Sequence, residues 1–333
     1  MSIRPRTSVI VLNYNGRPWL AQCLEALVVQ RGNAELIVVD NASSDGSIEA
    51  ARAWPAVRVV QLPENVGYAA GNNVGARVAS ATDYLVFLNN DTEVRPGWLA
   101  ALVHALDRYP QVALATSHIV RLEDPSIVDS AGDGYLHAGG AYKRWHGEAR
   151  PAGPGVEEVF GACGAGFAIR RRVFESLGGF DEDFFMVYED VDLSYRARLA
   201  GWTCVYVPTA VVRHAGSASL GVASAAAVFH GQRNLEWVWL KNTPAPDLWR
   251  SAIAHLAYSL AGCAYYAARG RGCACVRGKL AAVSSLPSTW RKRRHIQSTR
   301  TISTTALRSV MTPQWWRVKR GEKATVPVRS GRA

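Results

Sequence analysis

The 333 residues are 48% hydrophobic, enough for a sizeable core and for one large domain with an appendage. Six cysteines without a CxxC pair exclude a structural zinc site and fit reduced thiols in a cytosolic protein. From Arg269 onward 16 Lys and Arg face one acid, whereas the first 268 residues hold 22 bases and 26 acids; a body without a recognisable nucleic-acid module thus carries a basic tail suited to anionic lipid.

Residues 1–7 lead straight into a first strand with no secretory signal before it. Ser8–Leu12 is a short apolar run, read as a buried strand, and Leu20, Cys23, Leu24, Leu27 and Val28 follow at helical spacing. Further strands are predicted at Leu36–Asp40, Val57–Leu62 and Tyr84–Leu88, with an Ala- and Gly-rich helix over Tyr68–Ser80 between the last two. Pro96, followed by Leu99, Leu102, Val103 and Leu106, opens another helix. Strand and helix in alternation imply an α/β fold with a mainly parallel sheet and helices on both faces.

Beyond Pro110 the pattern loosens, and Gly- and Pro-rich loops are predicted through residues 131–155. A strand at Gly166–Arg170 follows, then a helix ending near Gly178-Gly179, a helix over Asp190–Ala200, and late strands at Val205–Pro208 and Ala210–His214. From Pro246 the chain reads as helical. Ser251–Ala268 is too weakly hydrophobic to span a bilayer. It is predicted to lie flat at the interface with Trp249, Tyr258, Tyr265 and Tyr266 at headgroup level, the alternative being a helix packed on the preceding domain.

Ligands of an open parallel sheet bind at the carboxyl ends of its strands. Here those ends are polar: Asn13-Tyr-Asn15-Gly16, Asp40-Asn-Ala-Ser-Ser-Asp-Gly46, Glu64-Asn65-Val-Gly67 and Asn89-Asn90-Asp91. Each alone reads equally as turn and cap chemistry, but four together form a polar rim. A carboxylate such as Asp40 suits the ring N–H of uracil or thymine, and Asp91 suits a hard divalent cation that bridges phosphates. Glu189 and Asp190 head a helix, where they read either as capping acids or as a general base. His214 reads as a buried core histidine or as a metal ligand.

In order and spacing, Ser8–Gly16, Val38–Ser47, Asn65–Asn73, Phe87–Val94, Gly179–Phe185 and Glu189–Arg196 resemble the family-2 glycosyltransferases of GT-A fold, in particular their bacterial rhamnosyltransferase-like branch, over residues 7–245. The resemblance implies a catalytic domain over 1–245, with a nucleotide-sugar half to about residue 110, and a helical, basic, membrane-associating region over 246–333. It implies a donor site of Asn13, Asn15, Asp40, Asn65, Gly67, Asn72, Asn89 and Asn90, with Arg233 on a phosphate. It implies Mg²⁺ or Mn²⁺ held by Asp91 and His214, and Asp190 as base beside Glu189. Asn89 replaces the first acid of the family's DxD pattern. The implied activity is inverting transfer from a dTDP- or UDP-sugar, rhamnose first among the candidates, to a polyprenyl-diphosphate-linked or other glycan acceptor. The implied location is the inner face of the cytoplasmic membrane.

Two rivals fit less well. A sugar nucleotidyltransferase needs a Gly-rich phosphate loop after the first strand, which Asn13-Tyr-Asn-Gly-Arg-Pro lacks, and no GxGxxG follows that strand to support a dehydrogenase. A non-catalytic membrane adaptor would have no need of Asp40, Asp91, Glu189 and Asp190 together.

Overall fold

The computed structural model describes residues 6–216 and 224–325, without side chains for 321–325. Residues 1–5, which lead into the first strand, and the end of the basic tail with Arg329 and Arg332 lie outside them.

The first half follows the sequence closely. β1 (Thr7–Asn13), α1 (Arg17–Gln30), β2 (Glu35–Asp40), α2 (Ser47–Arg52), β3 (Val57–Gln61), α3 (Gly67–Val78) and β4 (Tyr84–Asn89) alternate, and β3, β2, β1 and β4 lie side by side in parallel register. Val9, Ile10, Ile37, Val38, Leu85 and Phe87 are fully buried because these strands are covered on both faces. α3 packs closely on them: a Cβ at Gly75 would stand 2.5 Å from Ile10 Cγ2. β5 (Thr92–Val94) and α4 (Trp98–Arg108) complete this half. Pro96 lies just outside α4, which starts after Gly97 at φ +83°.

The second half adds antiparallel strands to this parallel part of the sheet. β6 (Val112–Arg121) is followed by the short strands β7 (Val128–Ser130), β8 (Asp133–Tyr135), β9 (Ala141–Lys143) and β10 (Glu157–Val159). β11 (Gly166–Arg170) then inserts antiparallel between β4 and β6. After α5 (Arg171–Ser176) and α6 (Glu189–Leu199), β12 (Thr203–His214) pairs parallel with β6. The two predicted late strands are thus one strand with a register shift between Val207 and Val211, around Pro208, where proline cannot donate to the ladder.

Almost all of α6 is buried. Its Asp192 accepts from Arg196 at 2.7 Å, from Lys241 at 2.8 Å and from Asn242 at 2.8 Å, so the charge inside the core is fully paired. Lys241 and Asn242 belong to α7 (Ala225–Asn242), which is followed by α8 (Ala245–Ala267), α9 (Gly272–Ser284), α10 (Leu286–Ser298), α11 (Thr304–Ser309) and α12 (Trp315–Thr325). α8, α9 and α10 all pack on α7.

Candidate active site

The strand-end residues fall into a buried set and a partly exposed set. Asn13, fully buried, donates to Asp40 (2.9 Å), Ser43 (3.1 Å) and Ser47 (2.8 Å), and accepts from Asn90 at 2.8 Å. One amide therefore locks the ends of β1, β2 and β4 together. Gly16 leaves room for this, since a Cβ there would overlap Asn90 and Asn13 at 2.0 and 2.3 Å.

Asp40 has no exposed surface, and its carboxylate accepts from Asn13 and from the Ser43 amide at 3.1 Å. Asp40, expected to meet the donor base, is turned inward in this structure, where a buried carboxylate between two strand ends needs these internal donors. Asn72 is likewise buried on α3, donating to Tyr68 O at 3.0 Å. Asn15, Asn65 and Asn89 retain exposed surface. Asn65 accepts from Asn41 and from the Gly67 amide, and Gly67, at φ +83°, brings its α-carbon against Phe185 where no Cβ fits.

At the far side of β4, the structure joins Asp91 and His214. His214 Nδ1 lies 3.0 Å from Asp129 Oδ2, and Nε2 lies 3.3 Å from Asp91 Oδ1 yet has no aligned hydrogen-bond partner. Burial pulls the His214 imidazole down, but Asp129 and Asp91 together push it up to about 9. Asp129 was not singled out in the sequence. Burial would raise its carboxyl, but Lys143, His146 and His214 hold it well below the usual range. Val128-Asp-Ser carries no local motif, so only the spatial meeting of β7, β9 and β12 marks Asp129 as important.

A buried imidazole nitrogen without a hydrogen bond, beside a carboxylate, is an oxygen-and-nitrogen donor pair suited to a divalent cation. Asp129 stands behind His214 as the carboxylate that fixes its orientation. Two protein donors leave positions for phosphate oxygens and water, and among the described residues no three acids, histidines or cysteines are placed to hold a metal ion by themselves.

Asp190 approaches the same place from α6. Its Oδ2 accepts from the Gly164 amide at 2.7 Å and its Oδ1 from the Val191 amide at 2.8 Å, and it is largely buried but keeps some exposed surface. Gly164 O accepts from the Tyr68 hydroxyl at 2.8 Å, and the next carbonyl, Ala165 O, accepts from the Asn89 amide at 3.1 Å. The loop 163–165 thus has Asp190 on one side and the Asn89–Asp91 turn on the other. Tyr68, between them, is raised well above its usual value by burial and by the charges of Glu189, Asp190 and Asp91.

Burial raises the Asp190 carboxyl as well, which suits a proton acceptor working near neutrality. Glu189 is buried, and burial with the adjacent Asp190 pushes its carboxyl well above the usual range. It does not reach solvent, whereas the neighbouring Asp190 keeps some exposed surface.

The turn before Asp190 is strained. Val187 and Tyr188 sit at φ +66° and +77°, a region costly for a β-branched and a bulky residue. Asn234, fully buried on α7, holds the turn by donating to Met186 O at 2.8 Å and Val187 O at 2.7 Å, while Arg233 Nε orients its amide at 2.9 Å. Arg233 also donates to Asp183 O at 3.1 Å and lies 4.1 Å over the Trp237 ring. The Arg233 guanidinium, expected at a phosphate, is engaged here with Asn234 through Nε, with the loop through Nη2 and with aromatic stacking.

The pattern of the family described as glycosyl transferase family 2 matches residues 8–178. An N-acetylglucosaminyl-diphospho-decaprenol L-rhamnosyltransferase of Mycobacterium tuberculosis is 32% identical over 240 residues, covering 64% of this chain and 77% of that protein. The O-antigen biosynthesis protein RfbC of Myxococcus xanthus is 33% identical over 233 residues, covering 65% of this chain and 18% of its own length. The fold is similar to that of the mannosyltransferase PcManGT from Pyrobaculum calidifontis in complex with GDP-Man and Mn²⁺ (TM-score 0.55, 23% identity, 90% of this chain and 85% of that one). It is also similar to that of GalNAc-T7 with UDP, GalNAc and Mn²⁺ (TM-score 0.57, 19% identity, 71% and 47%). With the family pattern spanning half of its length, and with a mixed sheet whose strand ends bear this rim, the chain belongs to glycosyl transferase family 2 and is a glycosyltransferase of GT-A fold.

Proposed function

We propose that the protein transfers a sugar with inversion, from a dTDP- or UDP-sugar to a polyprenyl-diphosphate-linked saccharide or another glycan, at the inner face of the cytoplasmic membrane. Rhamnose is the leading candidate for the sugar, on the similarity to the mycobacterial rhamnosyltransferase. The carrying observation is the convergence of Asp91, His214 and Asp190 around the loop 163–165. In this reading residues 1–110 bind the donor, 111–245 receive the acceptor and complete the site, and 246–333 face the membrane.

Asp190 takes the proton of the acceptor hydroxyl as its oxygen attacks the anomeric carbon. The bond from that carbon to the diphosphate breaks, and a nucleoside diphosphate leaves. Asp91 and His214 Nε2 would hold the divalent cation, which when bound offsets the charge developing on the leaving group. Asp129 holds His214 so that Nε2, not Nδ1, points to Asp91. Asn15, Asn65 and Asn89 are the partly exposed residues of the rim that meet the donor, while Asn13, Asp40, Asn72 and Asn90 form the frame behind them.

The direct test screens nucleotide-diphosphate sugars with Mn²⁺ or Mg²⁺ by thermal shift and by release of nucleoside diphosphate. A true donor at about a hundred times its Kd adds about 2.7 kcal/mol of stability. If no donor stabilises the protein or is turned over, the reading fails.

Asn234→Ala tests the strained turn. It frees the carbonyls of Met186 and Val187 and lets the turn move the Asp190 carboxylate. A misplacement of about 1 Å costs about a hundredfold in rate, so kcat is expected to fall about ten- to a hundredfold with the donor KM nearly unchanged. Steady-state kinetics with both substrates varied checks the split.

A further inference from the structure

The C-terminal helices are packed with their polarity reversed. α8 buries Asp247, Ser251 and His255 and exposes Trp249, Ile253, Leu256 and Leu260, 59–85% accessible, at spacings of four, three and four residues. The buried stripe is tied to α7. His255 stacks on Trp239 at 3.8 Å, its Nδ1 meets Ala138 O at 2.8 Å, and its Nε2 meets Glu236 at 2.7 Å. Ser259 and Lys279 also donate to Glu236. Burial would raise the Glu236 carboxyl, yet His255 and Lys279 hold it down at about 2.

α9 repeats the arrangement. Cys275, Gly278 and Lys279 face Gln232, the Phe229 carbonyl and Glu236 of α7, while Val276, Leu280 and Val283 are 52–63% exposed. Because both helices rest on α7, their outer faces point away from the body. At the end of α9 the apolar surface continues into Leu286, Pro287 and Trp290, which with Leu240, Arg291 and Arg294 line a cavity of about 550 Å³.

Charge fixes what this face can meet. Between Leu248 and Arg320 there are 14 Lys and Arg and not one Asp or Glu. Arg250, Arg269, Arg277, Arg291 and Arg294 are exposed beside the apolar stripes. No helix of the described residues is long and apolar enough to cross a membrane. A one-sided apolar surface bordered only by cations matches an anionic bilayer, with aliphatic side chains below the headgroups and guanidinium groups among the phosphates. A second copy of the chain would set these cations against each other.

We infer that the outer faces of α8 and α9, with the Trp290–Arg291–Arg294 cleft, form a docking surface for an anionic phospholipid membrane. The anchors are Trp249, Ile253, Leu256 and Leu260. Tyr258, Tyr265 and Tyr266, expected at headgroup level from the sequence, are half-buried, with Tyr258 packed 5.4 Å from Trp315. The inference rests on the proposed lipid-linked acceptor for its purpose but not for its evidence.

The test is sedimentation of the full chain with vesicles of phosphatidylglycerol and phosphatidylcholine, or of phosphatidylcholine alone, at low and high salt. The wild-type chain is expected to pellet with the anionic vesicles and to be released in part by salt. Ile253→Ser/Leu256→Ser/Leu260→Ser is expected to lower partitioning roughly tenfold or more. Arg277→Glu/Arg291→Glu/Arg294→Glu is expected to abolish the preference for anionic vesicles. Donor hydrolysis in solution stays at the wild-type rate in both variants. Wild-type protein that stays in the supernatant, or serine and glutamate variants that pellet like wild type, would overturn the inference. So would sedimentation velocity showing a dimer that the serine variant dissociates. Vesicle binding without any turnover of a sugar donor would leave the docking surface standing and remove the proposed reaction instead.

Discussion

Asp190→Asn is expected to lower turnover by about 10²–10⁴-fold, the usual contribution of a positioned general base, while donor affinity stays within about twofold. The size follows from placement. Asp190 is partly buried at the head of α6, anchored through both oxygens by the amides of Gly164 and Val191, so its orientation is fixed while some surface remains for an acceptor hydroxyl. Asparagine keeps the shape but turns an NH₂ toward one of those amides and cannot take a proton. Donor affinity is spared because the strand-end frame around Asn13 does not depend on Asp190. Donor titration by calorimetry beside steady-state rates makes the measurement. A variant with wild-type turnover would end the assignment of Asp190 as base, and one that has also lost donor binding would assign it to the donor site.

Asp91→Ala is expected to be nearly as severe, but with a different signature. Asp91 is buried beside His214 Nε2, and behind the imidazole Asp129 is itself braced by Lys143 and His146. Removing the Asp91 carboxylate takes away one of two donors, and the remaining imidazole is a poor site for a hard cation by itself. Turnover is expected to fall about 10²–10³-fold, the scale of losing one preorganised electrostatic contact to a leaving group. Addition of Mn²⁺ should no longer tighten nucleoside diphosphate binding. Titration of the diphosphate with and without Mn²⁺, on wild type and variant, separates this from simple misfolding. Equal strengthening by Mn²⁺ in both proteins would remove Asp91 from the metal site.

Within the proposed site, legibility followed range. Asn89, Asn90 and Asp91 could be read because they sit at the end of an apolar run, where a parallel sheet exposes its ligand-binding edge. Which of the rim residues face outward could not be read. Asn13, Asp40 and Asn90 are chemically as fit for a ligand as Asn15 and Asn65, and only their mutual hydrogen bonds turn them inward. Arg233 and Asn234 were visible as a pair, but their hold on a strained turn about fifty residues earlier in the chain depends on how α7 crosses it.

The sequence by itself determined the alternation of β1 to β4 with their helices, the family, and the split between an acidic body and a basic tail. These rest on local periodicity and composition, which need no partner to be recognised. Tertiary structure alone decided β6 and α7. In β6 the apolar run is broken by Thr116, Ser117 and His118, which are buried only because Cys163 N, Trp98 Nε1 and Tyr206 satisfy them from distant segments. In α7 buried Gln232, Asn234, Lys241 and Asn242 blur the helical stripe for the same reason. It also decided the reversed polarity of α8. The cluster of buried His255 with partly buried Glu236 and Lys279 pins the polar stripe inward, and the apolar residues are left facing out.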